Sequence, residues 1–247
     1  ISAIGANWIY DSTNHPSHPT SGFKSILEGE CAGVGGKQSF LSCAYVNSWF
    51  MPSLNIDPKG FFVFRADFRY ILPYGHTSAD DVPIEERFFL GGDETVRGYR
   101  PFVLGPKFKQ LNECELDDFS KKKPHHHKIH TSKKKKRGTT IRDGEEVECW
   151  ENTVNEDDPT GGLSLQYYSF EYDRPIGKRA EAFVFTDFGA LSTRRLAFGH
   201  LYASYGLGVR LKIVPGMPPL TLGMGWPVNA KDHSDVKRFF FTIGGKF

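Results

Sequence analysis

The stretch FFVFRADFRYIL, residues 61–72, decides the fold. Its even-numbered positions are apolar or aromatic, whereas Arg65, Asp67 and Arg69 stand at odd-numbered ones. Successive side chains of a β-strand point to opposite faces, so an alternation with a period of two predicts a strand. One face of this strand is therefore oily, and the other is charged.

The same alternation recurs along the chain. In residues 201–213 the odd positions are apolar, and Arg210 and Lys212 lie on the opposite face with Gly206 and Gly208. Ile4, Ala6, Trp8 and Tyr10 form such a face near the start. Further strands are predicted near residues 22–32, 38–50, 163–174, 179–189, 219–227 and 239–247, which makes about nine.

Strand length and pattern together favour a membrane protein. Strands of about 9 to 12 residues with one apolar face are typical of a transmembrane β-barrel, whose outer face meets lipid. Closure of the barrel leaves no unpaired strand edge in hydrocarbon. A soluble β-sandwich also alternates, but its strands usually have about 5 to 6 residues. We therefore predict an all-β fold, a transmembrane antiparallel β-barrel.

Composition narrows the function classes. The 247 residues include 21 Phe and 26 Gly, which suits many short strands, and the formal charge is only +2. Such a balance gives no general attraction to nucleic acid, so no nucleic-acid partner is expected. No window has the roughly 18 to 20 continuous apolar residues that a membrane-spanning helix needs.

One connection, residues 75–162, is too long for a turn. Within it, residues 121–138 are rich in Lys and His and are predicted to form a solvated, mobile loop; adhesion to an anionic surface is the alternative. Adjacent histidines do not converge easily on one ion, so no metal site is predicted. Cys114 and Cys149 flank this insert and could form a disulfide if the loop faces an oxidising space.

The same connection contains RFFLGGDETVRGYRPF, residues 87–102, with Arg97 near its middle. This segment could simply reverse the chain. However, Glu171 and Asp187 lie on predicted strands, on the face opposite the apolar one. If the loop folds back into the barrel, the planar guanidinium of Arg97 could bridge both carboxylates. The glycines that would permit the tight backbone are Gly91, Gly92 and Gly98.

These residues resemble the outer-membrane protein assembly factors of the BamA type and their two-partner-secretion relatives. The family hallmark is a V-R-G-[FY] tetrapeptide after F-x-x-G-G, matched here by Val96, Arg97, Gly98 and Tyr99. Glu171 and Asp187 match the acidic positions that hold the loop arginine in the family. The turn at residues 10–23 and the last three strands also resemble the family pattern.

The resemblance implies a non-enzymatic protein that folds and inserts β-barrel proteins into the bacterial outer membrane, through a lateral seam and a loop locked by Arg97. The chain would be the C-terminal part of a sixteen-stranded barrel that follows POTRA modules. The long loop would be exposed at the cell surface, and no cofactor is implied. Implied partners are nascent outer-membrane β-barrel proteins, accessory assembly lipoproteins, and lipopolysaccharide or membrane lipid. The terminal pattern resembles the signal by which clients are recognised, carried by Phe239, Phe241, Ile243 and Phe247.

Two other functions stay open. Within the same fold, the protein could be a polypeptide-secretion pore, and the number of upstream POTRA modules would discriminate. An outer-membrane hydrolase is the other alternative, because Asp232, His233 and Ser234 stand in one loop and His200 in another. A nucleophile and its base must converge in space. Adjacent residues on a polar hairpin have no enforced geometry, so we expect no catalytic residues.

Overall fold

The computed structural model describes residues 1–16, 18–33, 35–36, 38–53, 57, 59–107, 134–142, 145–152, 159–177, 179–193, 199–213, 219–230 and 233–244. Two compact units are present. The first comprises Ile1–Pro106 and Gly161–Phe247, and the second is Lys107–Thr160. For residues 134–142 and 145–152 only the backbone is described.

The first unit contains a nine-stranded antiparallel sheet, which confirms the predicted all-β class. All nine segments predicted as strands are strands. The described strands are β1 Ala3–Asp11, β2 Gly22–Ala32, β3 Phe40–Pro52, β4 Phe61–Pro73, β5 Lys134–Arg142, β6 Glu145–Asn152, β7 Ser164–Ile176, β8 Ala180–Ser192, β9 Leu201–Leu211, β10 Leu220–Pro227 and β11 Phe239–Ile243. The order in the nine-stranded sheet is β1-β2-β3-β4-β7-β8-β9-β10-β11, and β5 pairs with β6 in the second unit.

The register brings the apolar faces of neighbouring strands together. Phe64 of β4 stands opposite Trp49 of β3 and Phe170 of β7. The ring centroid of Phe64 lies 4.9 Å from that of Trp49 and 4.6 Å from that of Phe170. The ring of Phe23 on β2 lies 5.2 Å from that of Trp49. Because large apolar side chains on this face stay exposed along the whole sheet, its surface suits contact with lipid.

The opposite face carries the charged residues and is covered by part of the long connection. Two 3-10 helices, Ala79–Asp81 and Ile84–Glu86, follow β4. Isolated bridges then join Phe88 to Gly162 and Leu90 to Leu104. A buried cluster forms where this segment packs on β7 and β8; its members are Leu90, Val96, Tyr99, Leu104, Leu165, Tyr167 and Leu191.

Part of the Lys- and His-rich insert is more regular than predicted. Residues 134–138 belong to β5, a strand that was not predicted, while residues 121–133 lie outside the described residues. The pairing of β5 with β6 sets Lys135 opposite Glu151 and Arg142 opposite Glu145. The pairing of β5 with β6 depends on residues farther along the chain, which the composition of the basic run alone does not indicate. Within the described ranges, no helix is long and apolar enough to cross a membrane.

Candidate functional site

The loop that carries Arg97 reaches the sheet through glycines. Gly91, Gly92 and Gly98 have φ angles of 104°, 98° and 91°, a region that disfavours other residues. A Cβ on Gly98 would lie 2.9 Å from the carbonyl carbon of Gly225 on β10. A Cβ on Gly225 would lie 2.8 Å from the amide nitrogen of Gly98. The two backbones therefore touch, and neither position has room for a side chain.

Arg97 lies fully buried between the loop and the charged face, with 1% of its surface exposed. Its Nε and Nη2 donate to the two oxygens of Asp187, Oδ2 and Oδ1, at 2.7 Å each. Its Nη1 donates to Oε1 of Glu171 at 2.6 Å. The backbone N–H of Arg97 also donates to Oδ2 of Asp187, at 3.1 Å. The structure thus brings together the three residues that the sequence had singled out.

Asp187 also accepts hydrogen bonds from two side chains of the neighbouring strand β7. Ser169 stands directly opposite it in the β7–β8 register and donates from Oγ to Oδ1 at 2.7 Å. The hydroxyl of Tyr167 donates to the same oxygen at 3.2 Å. Arg97 Nη2 in turn donates to Oγ of Ser169 at 3.1 Å. Nothing in the sequence had pointed to Tyr167 or Ser169, because their roles depend on the register.

An aromatic ring packs against the guanidinium of Arg97. The Cζ of Arg97 is 3.5 Å from the ring centroid of Phe185, a cation–π contact. A Cβ on Gly206 of β9 would come within 2.4 Å of that ring. Gly206 therefore leaves the space in which the ring lies against β9. Gly208 and Gly223 stand in the same relation to Phe183 and Phe240.

Charge dominates the energetics of the site. Burial alone would lower the pKa of Arg97, but the nearby charges of Asp187 and Glu171 outweigh it and raise the pKa above its ordinary value. The guanidinium therefore stays charged. Removing one partner from a buried ion pair costs about 3 to 5 kcal/mol, since the other charge is left uncompensated.

The residues beside Arg97 attach the loop on both sides. Val96 is buried, and its Cγ2 would lie 2.7 Å from a Cβ on Gly189. Tyr99 forms a bridge with Val236, between β10 and β11, and its hydroxyl donates to Oδ1 of Asn229 at 3.1 Å. Burial raises the pKa of the Tyr99 hydroxyl to about 12, so it remains a donor at neutral pH.

A second buried guanidinium lies next to that of Arg97, and it is not among the predicted site residues. Arg210 of β9 contacts the carboxylate of Glu171 and donates to Oδ2 of Asp173 at 2.6 Å. Its Nη1 also lies 3.4 Å from Oε1 of Glu181. One signal could have found it: Arg210, Asp173 and Glu181 all lie on the charged faces of their strands.

The predicted client signal is described only in part. Phe239, Phe241 and Ile243 lie on the apolar face of β11 and are exposed, whereas Phe247 lies outside the described residues. Phe240, on the other face, is buried against Phe183 and Phe185. The last strand therefore has an inward anchor that the predicted pattern omitted.

The remaining predicted residues do not assemble into a site within the described residues. Cys114 lies outside them, and the side chain of Cys149 is not described, so their disulfide stays a prediction. Asp232 also lies outside, and His233 begins a 3-10 helix, His233–Asp235. His200 Nε2 lies 3.4 Å from Nδ2 of Asn229. The described part of the chain holds no group of three or more His, Cys, Asp or Glu placed to bind a metal.

The chain is similar in sequence and in fold to known proteins. The Omp85 superfamily domain matches residues 1–247. The outer membrane protein assembly factor BamA of Neisseria meningitidis serogroup B (strain ATCC BAA-335 / MC58) is 22% identical over 248 residues. That alignment covers 97% of this chain but 28% of the relative, so the chain spans less than a third of the relative's length.

A solved structure is similar in fold. The crystal structure of BamA from Haemophilus ducreyi lacking POTRA domains 1–3 aligns with a TM-score of 0.70 and 18% identity. The alignment covers 97% of this chain and 41% of that one. At this identity the likeness concerns the arrangement of strands.

Proposed function

The chain belongs to the Omp85 superfamily, as its resemblance to BamA-type proteins indicated, and from this premise we propose that it is part of an outer-membrane protein assembly factor. The protein would fold and insert β-barrel proteins into the bacterial outer membrane without covalent chemistry. The observation that carries the proposal is the buried ion pair of Arg97 with Asp187 and Glu171. It holds a loop against the charged face of a sheet whose other face is apolar.

Residues 1–247 would form the C-terminal part of a membrane-spanning barrel. The described β11 has five residues and pairs with β10 at one edge of the sheet. A short edge strand forms few ladder hydrogen bonds and opens easily, and an exposed edge can template a further strand. We propose that the seam lies at this edge and that nascent β-barrel proteins pair with it.

The location and partners follow from the same premise. The 75–162 connection is far longer than any other connection between strands of the sheet, and it leaves from the end opposite the shortest turn, which follows β7. In outer-membrane barrels short turns face the periplasm, so we propose that this connection is exposed at the cell surface. Accessory lipoproteins would bind on the periplasmic side, and the apolar face would contact membrane lipid or lipopolysaccharide.

The ion pair is what keeps the loop in place in this proposal. Its test is charge reversal in the full-length protein: Arg97→Glu alone, and together with Asp187→Arg. We expect the single change to lower the heat-modifiable folded form and the levels of other outer-membrane proteins, because two carboxylates would then face a third. The double change should restore part of both.

A matched control is Arg174→Glu, because Arg174 at the end of β7 pairs with Asp57 at 2.6 Å and its side chain is 61% exposed. It should leave both readouts near the parent. If Arg97→Glu also leaves both unchanged, the loop only reverses the chain, and the proposed lock is wrong.

Secretion of a polypeptide is a second candidate, and one observation favours it. A cavity of about 550 Å³ lies between the loop and the charged face, with Arg65 and Arg87 in its lining. Movement of the loop would enlarge this charged space into a path. In that case Arg97→Glu should abolish export of one polypeptide while the levels of other outer-membrane proteins stay normal.

A further inference from the structure

We propose that Arg210 is a second positioning residue for the loop, acting through Glu171, and that His18 completes its network at the far end of the sheet. Glu171 is held from two sides, with Oε1 bound by Arg97 and Oε2 by Arg210. Arg210 lies on β9, two strands away from β7 in the sheet. It therefore helps to orient the Glu171 carboxylate that accepts from Arg97. The inference rests on the proposed role of the loop.

The surroundings of Arg210 show a built site. The side chain is 9% exposed, and its Cζ lies 4.2 Å from the ring centroid of Phe183. Gly208 leaves room for that ring, since a Cβ there would come within 2.4 Å of it. Arg210 therefore rests on a phenylalanine and glycine pair of the same kind as the one beneath Arg97.

Charge explains why the second guanidinium is needed. Arg97 and Arg210 together pair with four buried carboxylates, those of Glu171, Asp173, Glu181 and Asp187. Like charges this close repel strongly in a buried site. Without Arg210, three carboxylates would face one another, and their repulsion would shift Glu171 and weaken its bond to Arg97.

His18 extends the network to the turn between β1 and β2. Its Nε2 lies 2.9 Å from Oε2 of Glu181, and its ring stands edge-on to Phe61 at 6.0 Å. The turn is ordered by Asn14, whose Oδ1 accepts the backbone N–H groups of Thr20 and Ser21. A continuous chain of contacts therefore joins Arg97, Glu171, Arg210 and Glu181 to the first hairpin.

The test measures the position of the loop directly. In the full-length protein, with Cys31, Cys43, Cys114 and Cys149 replaced by serine, Val96→Cys places a thiol at a site that is fully buried when the loop is docked. The rate of reaction with a maleimide reports how often the loop leaves. Arg210→Met should raise this rate about tenfold, and Arg97→Met at least as much. His18→Gln, at the outer end, should raise it about two- to fivefold.

Three comparisons separate positioning from general loss of structure. Arg174→Met should change the rate less than about twofold, because the Arg174–Asp57 pair at the end of β7 lies outside the network and the Arg174 side chain is 61% exposed. Arg97→Met and Arg210→Met together should raise the rate less than the product of their single effects, since both act through Glu171. Arg210→Lys should recover part of the parent rate by restoring the charge.

An unchanged rate in Arg210→Met, beside a raised rate in Arg97→Met, overturns the proposal. If Arg210→Met does not fold, Arg210→Gln and His18→Gln decide, and parent-like rates in both overturn it. No client is needed for labelling, so failure of the proposed function would appear separately, as normal client levels in variants whose loop is released.

Discussion

Arg97 shows how much one side chain depends on its setting. A lysine or arginine in an ordinary turn would be hydrated, yet this guanidinium has carboxylate, hydroxyl and aromatic partners on two strands, β7 and β8. Its fork matches Asp187 with two parallel bonds, which a point charge cannot reproduce. The position is therefore specific for arginine, and the charge alone would not suffice.

At the same scale, Gly98→Ala should undock the loop. The new Cβ would lie 2.9 Å from the Gly225 backbone, and the docked backbone would hold the alanine at a φ of 91°. Gly35→Ala is the matched control, because Gly35 has a φ of 84° but nothing within 4 Å of its Cβ position. We expect Gly98→Ala to lower the free energy of unfolding by about 1 to 3 kcal/mol more than Gly35→Ala. Equal losses in urea titrations would mean that the backbone contact is unimportant.

At the scale of the element, β11 has two unlike faces. Phe240 lies against Phe183, Phe185 and the backbone of Gly223, whereas Phe241 points out and is 55% exposed. The same residue type thus occupies a packed site and an open one, one position apart. The anchoring of the edge strand should come mainly from the inward ring.

Phe240→Ala should therefore loosen β11 far more than Phe241→Ala. Truncating a packed phenylalanine costs about 3 to 5 kcal/mol, and the local loss should appear as faster hydrogen exchange of the amides in β10 and β11. Phe241→Ala serves as the control in the same strand. Similar exchange rates in the two variants would show that Phe240 does not hold the edge.

At the scale of the whole molecule, the apolar face of the sheet needs a covering. Leu207 lies in the middle of β9 on this face and is 51% exposed. In lipid, an arginine near the bilayer midplane costs about 2 to 4 kcal/mol, because the charge must leave water.

Leu207→Arg should therefore reduce the folding free energy in bilayers by about that amount. Asn7→Arg, on the exposed charged face of β1, should have little effect. Folding into lipid vesicles from urea measures both. If Leu207→Arg leaves the folding free energy unchanged, this face does not meet hydrocarbon.

Alternation along residues such as 61–72 was enough to predict the strands and which face of each is apolar. Neighbouring strands in a sheet share their faces, so the local pattern also placed Glu171 and Asp187 on the same side as each other. The short loop motif singled out Arg97, because a lone arginine among glycines has few structural explanations. The secondary structure of the basic insert was missed, since hairpin pairing depends on a partner strand farther along the chain.

Periodicity thus determined by itself the class of fold and the faces of the strands, Glu171 and Asp187 included, and the loop motif added Arg97, because these depend on local order in the chain. The roles of Ser169, Tyr167, Arg210 and His18 were decided only by the tertiary structure. Their partners are distant in the sequence: Ser169 and Asp187 are 18 residues apart, and His18 and Glu181 are 163 residues apart. Register and loop docking set those distances, and neither is written in the period of a single strand.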